Sequence, residues 1–281
     1  NEKIKYNEPF KNLFTQGMVC HETYKDDNGK WYSPDEIEKK ENQNCVSIEG
    51  NNKITIGPSE SMSKSKKNTI DPENMIKQYG ADSVRWFVLS DSPPEKDIQW
   101  STQGINASYK FLQKIWNLNI KILERNDRDA NTKIEDGFTD EIDGYLYKIT
   151  QLIEKFQFNV VIANIYELYR IFNENFESKI SNECFKNNTI KFMKVMIPLT
   201  PHIAYECLEK LNEKKTDEWP TFNEKSLQSR RVKIAAQVNG KTRGIIEVKK
   251  DTVEAEIIEI SNNSEKIGRY ISNKKIKRII F

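Results

Sequence analysis

The chain has 281 residues and almost balanced charge, because 44 Lys and Arg face 42 Asp and Glu and leave a net charge of +2. That small value excludes a strong attraction of the whole molecule to polyanions. Hydrophobic residues make up 37% of the chain and aromatic residues 10%, which excludes a disordered protein and predicts packed domains. No apolar run reaches membrane-spanning length, so we expect no membrane partner.

The four cysteines and two histidines are scattered along the chain, with no Cys-x-x-Cys pair among them. This argues against a metal site and against a disulfide framework, and it predicts reduced thiols in the cytoplasm. Both ends of the sequence interrupt a pattern, since it begins on Asn1 and stops on the apolar run 279–281. We therefore expect a piece of a longer protein.

A cationic loop lies near the end of the first 70 residues. Residues 1 to about 58 mix short apolar runs with turn signals such as Asp27-Asn28-Gly29. The cationic loop, Ser59–Asn68, follows with three lysines, four serines and no large apolar residue except Met62. Asp71-Pro72-Glu73 then predicts a helix start, with Asp as N-cap and Pro at the first helical position. Lysines, hydroxyls and a helix N-terminus suit a phosphate site, although a solvated basic loop is the alternative.

Helical periodicity dominates the middle of the chain and predicts an antiparallel bundle. We predict helices over 71–78, from Asp82 and from Ser101 with each of these two residues as the N-cap, from 140, from Asn159, over 188–196 and over 201–211, with a polar linker over 126–137. His202 follows a proline at a helix start, and His21 has no partner at catalytic or metal spacing. Both histidines are therefore interpreted as structural.

From Arg231 the apolar residues recur at every second position, which predicts β-strands. Asn239-Gly240 predicts a tight hairpin turn between two of them. Two helices, over 251–260 and 264–271, and a final strand over 276–281 complete a small β-β-α-α-β module. From Arg230 to Phe281 there are 13 Lys and Arg against 6 Asp and Glu, a local net charge of +7. Such a basic module suggests a nucleic-acid contact, with a solvated charged surface as the equal alternative.

Five segments resemble class I aminoacyl-tRNA synthetases, and they occur in that family's order. Ser61-Met62-Ser63-Lys64-Ser65 resembles the K-M-S-K-S loop of the class, and 79–85 is similar to a segment of the leucyl, isoleucyl and valyl enzymes. The segments 14–19, 92–101 and 237–244 resemble the leucyl branch. The sequence is thus identified as a member of the bacterial-type leucyl-tRNA synthetases, as a C-terminal portion.

The resemblance implies a multidomain fold. Residues 1–70 would be the tail of a Rossmann-like α/β catalytic domain that includes the cationic loop. Residues 71–222 would form an α-helical bundle of the anticodon-binding type, which docks the tRNA core. Residues 230–281 would form a small α+β C-terminal tRNA-binding domain, which we expect to be truncated.

The resemblance also implies an activity, namely ATP-dependent activation of leucine and its transfer to tRNA(Leu) by a monomeric enzyme that uses Mg²⁺. The ATP-binding loop would be Ser61, Met62, Ser63, Lys64 and Ser65, with Lys64 as the catalytic lysine against the phosphates. Ser61 departs from the family, which has a lysine there, and Lys66 or Lys67 could compensate in part. No H-I-G-H motif is present, so the chain alone is not expected to aminoacylate.

Basic residues are the candidates for tRNA phosphate contacts. In the end module they are Lys241, Arg243, Lys274, Lys275, Lys277 and Arg278. Arg85, Trp86, Lys110 and Lys114 could also reach RNA, although solvated helix faces are the favoured interpretation. Two rival functions remain: a non-catalytic RNA-binding module without ATP, and an isoleucyl- or valyl-type synthetase.

Overall fold

The computed structural model describes residues 10–40, 45–223, 231–249, 252–271 and 278–280. Within these ranges a curled sheet comes first, a group of α-helices follows, and a hairpin with two further helices comes last. None of the helices in the described ranges is long and apolar enough to cross a membrane.

The sheet is built on two long central strands, β1 (Val19–Asp26) and β5 (Lys53–Ser61), which pair antiparallel. Short strands flank them: β2 (Trp31–Tyr32), β3 (Ile37–Lys39), β4 (Cys45–Ser47) and β6 (Ile98–Gln99). The strand order is β2-β1-β5-β4-β3, and β6 adds to β1 in parallel. A small core of Tyr24, Tyr32, Cys45 and Ile54 holds the strands together.

This sheet differs from the Rossmann-like α/β tail expected over residues 1–70. Its strand pairs are antiparallel except for β1 with β6, and the described residues before Pro72 contain no helix beyond a 3₁₀ turn at Pro34–Glu36. Parallel neighbours need a crossover of a dozen or more residues, and the turns after β1 and β4 are too short for one. The described residues of this part therefore form a mainly antiparallel sheet.

The helices predicted from periodicity are present, and all but the first of them share one core. Their bounds are α1 Pro72–Tyr79, α2 Ala81–Asp91, α3 Thr102–Leu123, α4 Thr132–Glu154, α5 Phe158–Asn175, α6 Asn182–Met196 and α7 Pro201–Lys210. The core takes one face from each of α2 to α7, and Ile115, Ile142, Leu146 and Ile165 within it are fully buried. Burial of each such side chain stabilises the fold by about 1.5–3 kcal/mol, so the bundle is the most strongly packed part described.

Side-chain caps explain where several helices begin. Asp71 accepts from the Glu73 N–H at 2.9 Å and Ser101 accepts from the Gly104 N–H at 3.0 Å, so both predicted caps are confirmed. The predicted linker over 126–137 is wrong in its second half, because α4 already begins at Thr132. Asn131 caps it by accepting from the backbone at residues 133 and 134.

The hairpin predicted at Asn239-Gly240 joins β7 (Arg231–Val238) to β8 (Lys241–Lys249). Both turn residues have positive φ, 54° and 74°, as a type I′ turn requires. Helices α8 (Glu254–Asn263) and α9 (Glu265–Ile271) pack on the hairpin through a small apolar cluster. Residues 278–280 are not in a strand, contrary to the prediction for 276–281, whose other residues lie outside the described part.

Candidate functional site

The cationic loop begins on the sheet. Ser61 is the last residue of β5 and pairs with Cys20, and the Met62 N–H donates to the Val19 carbonyl at 3.1 Å. The chain then turns, because the Lys67 N–H donates to the Lys64 carbonyl at 3.3 Å. The first two residues of the S-M-S-K-S segment are thus attached to strands, and the turn after them presents Lys64.

The Asn68 side chain connects the turn of the loop to the sheet. Its side chain is fully buried, with a relative exposure of 0%. Its Oδ1 accepts from the Ser63 N–H at 2.8 Å, and its Nδ2 lies 3.2 to 3.4 Å from the carbonyl oxygens of His21, Glu60 and Ser61. One carboxamide therefore joins the turn to both central strands.

The three lysines of the loop differ in their surroundings. Lys66 forms an ion pair with Glu60 of β5. Lys67 lies with its Nζ 3.1 and 3.2 Å from the two carboxylate oxygens of Glu36. Lys64 is exposed and has no ion-pair or hydrogen-bond partner for its ammonium among the described residues. Lys64 is consequently the cation of this loop that remains available for an incoming anion, and compensation for Ser61 by Lys66 or Lys67 is not supported.

The carboxylate that holds Lys67 is itself well anchored. Glu36 accepts from the Ser33 N–H at 2.7 Å in a capping box of the 3₁₀ turn. That backbone hydrogen bond, together with the Lys67 ammonium, lowers the pKa of Glu36 below its ordinary value of 4.5. Glu36 is therefore charged at neutral pH and keeps Lys67 against the sheet.

The hydroxyl groups of the loop serve partly internal roles. Ser63 Oγ accepts from the Lys66 N–H at 3.3 Å and lies 3.2 Å from Ser65 Oγ. Ser65 is exposed beside Lys64. An anion that approached Lys64 would meet the Ser65 hydroxyl on the same turn, which is the donor set expected for phosphate oxygens.

Two of the resembling segments meet beside the loop. The Gly17 N–H donates to the Pro94 carbonyl at 2.8 Å, and the Met18 N–H donates to Asp97 Oδ1 at 2.8 Å. The parallel pair of β1 with β6 extends this contact between residues 17–20 and 94–99, which we call the seam. A Cβ on Gly17 would lie 2.1 Å from the Lys96 carbonyl oxygen, so the close approach requires glycine. No motif or periodicity in the sequence predicted this long-range pairing.

The candidates for RNA contact on α2 are structural. Trp86 is fully buried in the helical core. Arg85 donates from Nε to the Leu199 carbonyl at 2.9 Å and from a guanidinium nitrogen to the Pro198 carbonyl at 2.7 Å, which ties α2 to the start of α7. Lys110 and Lys114 of α3 are exposed and remain available.

The basic residues of the end module are only partly described. Lys241 and Arg278 are exposed, whereas Lys274, Lys275 and Lys277 lie outside the described residues. Arg243 stacks on Tyr270, with its Cζ 4.3 Å from the ring centroid. Arg243 is thus used in packing between β8 and α9.

Comparisons with known proteins match the chain to tRNA ligases. A family model described as tRNA synthetases class I (I, L, M and V) matches residues 53–101, and one described as the anticodon-binding domain of tRNA ligase matches residues 137–259. The leucine–tRNA ligase of Rickettsia bellii is 39% identical over 281 residues, and that of Zymomonas mobilis is 34% identical over 281 residues. Each alignment covers 99% of this chain.

The chain is a homologue of leucine–tRNA ligases along 99% of its own length. It spans about a third of the length of the curated relatives, since the two alignments cover 33% and 32% of them. A solved structure, the ternary complex of Agrobacterium radiobacter K84 agnB2 LeuRS with tRNA and LeuAMS, is similar with a TM-score of 0.63. It is 23% identical and covers 79% of this chain and 29% of that one, so it supports the fold alone.

Within this chain, the class I match contains the cationic loop together with Asn68 and Arg85. The anticodon-binding match runs from α4 into α8 and so crosses the predicted boundary at 222–230. The sequence analysis included Glu60 and Asn68 in the loop without assigning them a role, and it missed Glu36. The only signal for Asn68 was its place at the end of the lysine run.

The two histidines do not form a reactive site with metal-binding neighbours. His202 Nδ1 lies 2.9 Å from Asp82 Oδ1 at the start of α7, in agreement with a structural interpretation. His21 is partly buried on β1, and burial lowers the pKa of its imidazole. No cluster of three or more His, Cys, Asp or Glu that could hold a metal ion lies within the residues described.

Proposed function

We propose that this chain works as part of a leucine–tRNA ligase, in which the cationic loop serves ATP-dependent formation of leucyl-adenylate. The observation that carries the proposal is the state of Lys64. It is exposed and unpaired among the described residues, while Lys66 and Lys67 are held by Glu60 and Glu36. The identity of 34% to 39% with leucine–tRNA ligases over the whole chain supports leucine as the amino acid rather than isoleucine or valine.

The chemistry explains why a free lysine is needed. In adenylate formation the leucine carboxylate attacks the α-phosphate of ATP, and pyrophosphate leaves as charge builds on the phosphate oxygens. An ammonium placed against those oxygens stabilises the transition state more than the ground state. A turn that can close over bound ATP would bring Lys64 and Ser65 to the phosphates.

Magnesium would enter with the nucleotide. Mg²⁺ in proteins usually keeps several waters and is bound largely through substrate phosphates. Its charge would add to that of Lys64 in neutralising the phosphates.

We further propose that the helical bundle, residues 71–222, and the end module, residues 230–281, hold tRNA(Leu). Residues 1–70 would belong to the catalytic domain. Lys110, Lys114, Lys241 and Arg278 are the exposed basic residues for phosphate contacts in this scheme. Lys274, Lys275 and Lys277 belong to the same proposal, and the enzyme would be monomeric and cytoplasmic.

Two experiments test these proposals. In the intact ligase, Lys64→Ala should slow leucine-dependent ATP–pyrophosphate exchange by about 100-fold or more, as expected for loss of a group that acts in the transition state. Lys66→Ala and Lys67→Ala are matched controls of the same charge and should have much smaller effects. Equal rates for Lys64→Ala and the unchanged enzyme would contradict the role of the loop.

Binding of this chain to leucine tRNA, measured by filter binding across a salt series, tests the second proposal. Serine, isoleucine and initiator tRNAs are the controls. We expect tighter binding of leucine tRNA with a steep dependence on salt, because phosphate contacts release counterions. The rival function, an RNA-binding module without ATP, predicts the same binding but no leucine-dependent ATP–pyrophosphate exchange in the unchanged protein.

A further inference from the structure

Asn68 is fully buried although it lies in a loop that is largely open to solvent. Each polar atom of its carboxamide meets backbone: Oδ1 receives the Ser63 N–H, and Nδ2 faces carbonyl oxygens of His21 and β5. A carboxamide is the side chain that offers an acceptor and an NH₂ donor at once without a charge. The site is therefore matched to asparagine.

The contact with Ser63 fixes the residue directly before Lys64. The Lys64 side chain has no partner among the described residues, so the position of its ammonium depends on the backbone that carries it. Lysine has a long flexible stem, and a displaced turn would spread its ammonium over a larger volume.

The ion pairs of the loop are weaker anchors than Asn68. The side chains of Lys66 and Glu60 are 39% and 38% exposed, and those of Lys67 and Glu36 are 44% and 43% exposed. Exposed pairs of this kind contribute little because water and salt screen them. Loss of the buried Asn68 side chain would instead leave the Ser63 N–H and several carbonyls without partners in a site closed to water.

We propose that Asn68 is a positioning residue for adenylate formation, which holds the backbone at Ser63 and thereby places Lys64 against the phosphates of ATP. This inference rests on the proposed function of the loop. Small displacements of a catalytic group are costly, since a shift of about 1 Å can slow a reaction by about 100-fold.

The first test uses the chain alone and does not depend on catalysis. Backbone hydrogen exchange is measured over residues 62–67 for the unchanged chain, Asn68→Ala and Asn68→Asp. The Asp variant keeps the acceptor for Ser63 but turns a carboxylate oxygen toward three carbonyls. Thr69→Ala, at the exposed neighbouring residue, is the control. We expect faster exchange in both Asn68 variants and unchanged exchange in the control, at temperatures where circular dichroism shows every variant folded.

The second test is a double-mutant cycle in the intact ligase, with leucine-dependent ATP–pyrophosphate exchange as the readout. Asn68→Ala should lower kcat by about 10- to 100-fold with the KM for leucine unchanged. The double variant Lys64→Ala/Asn68→Ala should be no slower than Lys64→Ala alone, because Asn68 acts through Lys64.

The outcomes separate this inference from the proposed function. A slow Lys64→Ala with a normal Asn68→Ala, or effects that multiply in the double variant, would overturn the inference and leave the function of the loop standing. Unchanged hydrogen exchange in Asn68→Ala would also overturn it. A normal rate for Lys64→Ala would overturn the proposed function itself.

Discussion

Asp82 of α2 caps α7, which lies 120 residues further along the chain. Its Oδ2 accepts from the Ile203 N–H at 2.8 Å, and its Oδ1 lies 2.9 Å from His202 Nδ1. Thr200, the N-cap residue of α7, makes no side-chain cap of its own. The first turn of α7 thus takes from another helix the acceptor that its N–H groups need.

We expect Asp82→Ala to lower the free energy of unfolding by about 1–3 kcal/mol, because it removes a buried acceptor from a helix start. Urea unfolding followed by circular dichroism measures the change. Asp82→Asn keeps one acceptor oxygen and should lose less. His202→Ala is the second control, and since the His202 side chain is 75% exposed it should cost less than about 1 kcal/mol. Equal losses for the Ala and Asn variants would contradict the capping role.

Two glycines should respond in opposite directions to the same substitution. Gly17→Ala places a Cβ 2.1 Å from the Lys96 carbonyl oxygen, so the seam beside the loop must open, at a cost of about 1–3 kcal/mol. Gly137 lies inside α4 with no atom within 4 Å of an added Cβ, and Gly137→Ala should stabilise by about 0.5–1 kcal/mol. Thermal unfolding should show a lower Tm for Gly17→Ala and a higher Tm for Gly137→Ala than for the unchanged chain. A stabilised Gly17→Ala would show that the seam is not as close as described.

The pH dependence of stability should report Glu36. Its pKa is lowered in the folded chain by the Ser33 N–H and by Lys67, so it contributes stability above its ordinary pKa of 4.5. That contribution is lost as the pH falls through the lower, folded-state pKa. Glu36→Gln should therefore be less stable than the unchanged chain at pH 7, and the difference should vanish in acid. Urea midpoints against pH measure this, with Glu38→Gln, an exposed carboxylate on β3, as the control that should show no such convergence.

The cysteines should differ in reactivity toward iodoacetamide. Cys207 is fully buried, and burial raises the pKa of its thiol to about 12, so at pH 8 it carries almost no thiolate. Cys20 and Cys45 are also buried, whereas Cys184 is partly exposed. Mass spectrometry of the native chain should find label first on Cys184 and on the other three only after unfolding. Rapid native labelling of Cys207 would show that its helix opens readily.

Local signals were read correctly from the sequence. The Asp71 and Ser101 caps and the Asn239-Gly240 turn depend on residues a few positions apart, and all three are present. Asp82 was assigned as a cap of α2 on the same kind of signal. That assignment was wrong, because Gly80 occupies the N-cap position of α2 and the Asp82 carboxylate faces α7. A local rule cannot show which of two helix ends a carboxylate will serve.

The cationic loop shows the same limit at the candidate site. Its composition singled out Lys64, Lys66 and Lys67 equally as cations. Only the sheet brings Glu60 to Lys66 and Glu36 to Lys67, the latter from 31 residues away. The antiparallel direction of the sheet was missed for a related reason, since β1 pairs with β5 and no local signal in the sequence reveals that pairing.

The parallel pair of β1 with β6 also constrains the order of folding. Met18 and Asp97, hydrogen-bonded beside it, are separated by 79 positions. During synthesis β1 and β5 can pair before β6 is made, whereas the contact of Val19 with Ile98 must wait until residue 98 has left the ribosome. A translational pause between residues 61 and 98 would therefore leave β1 without the partners that Asp97 and Ile98 supply.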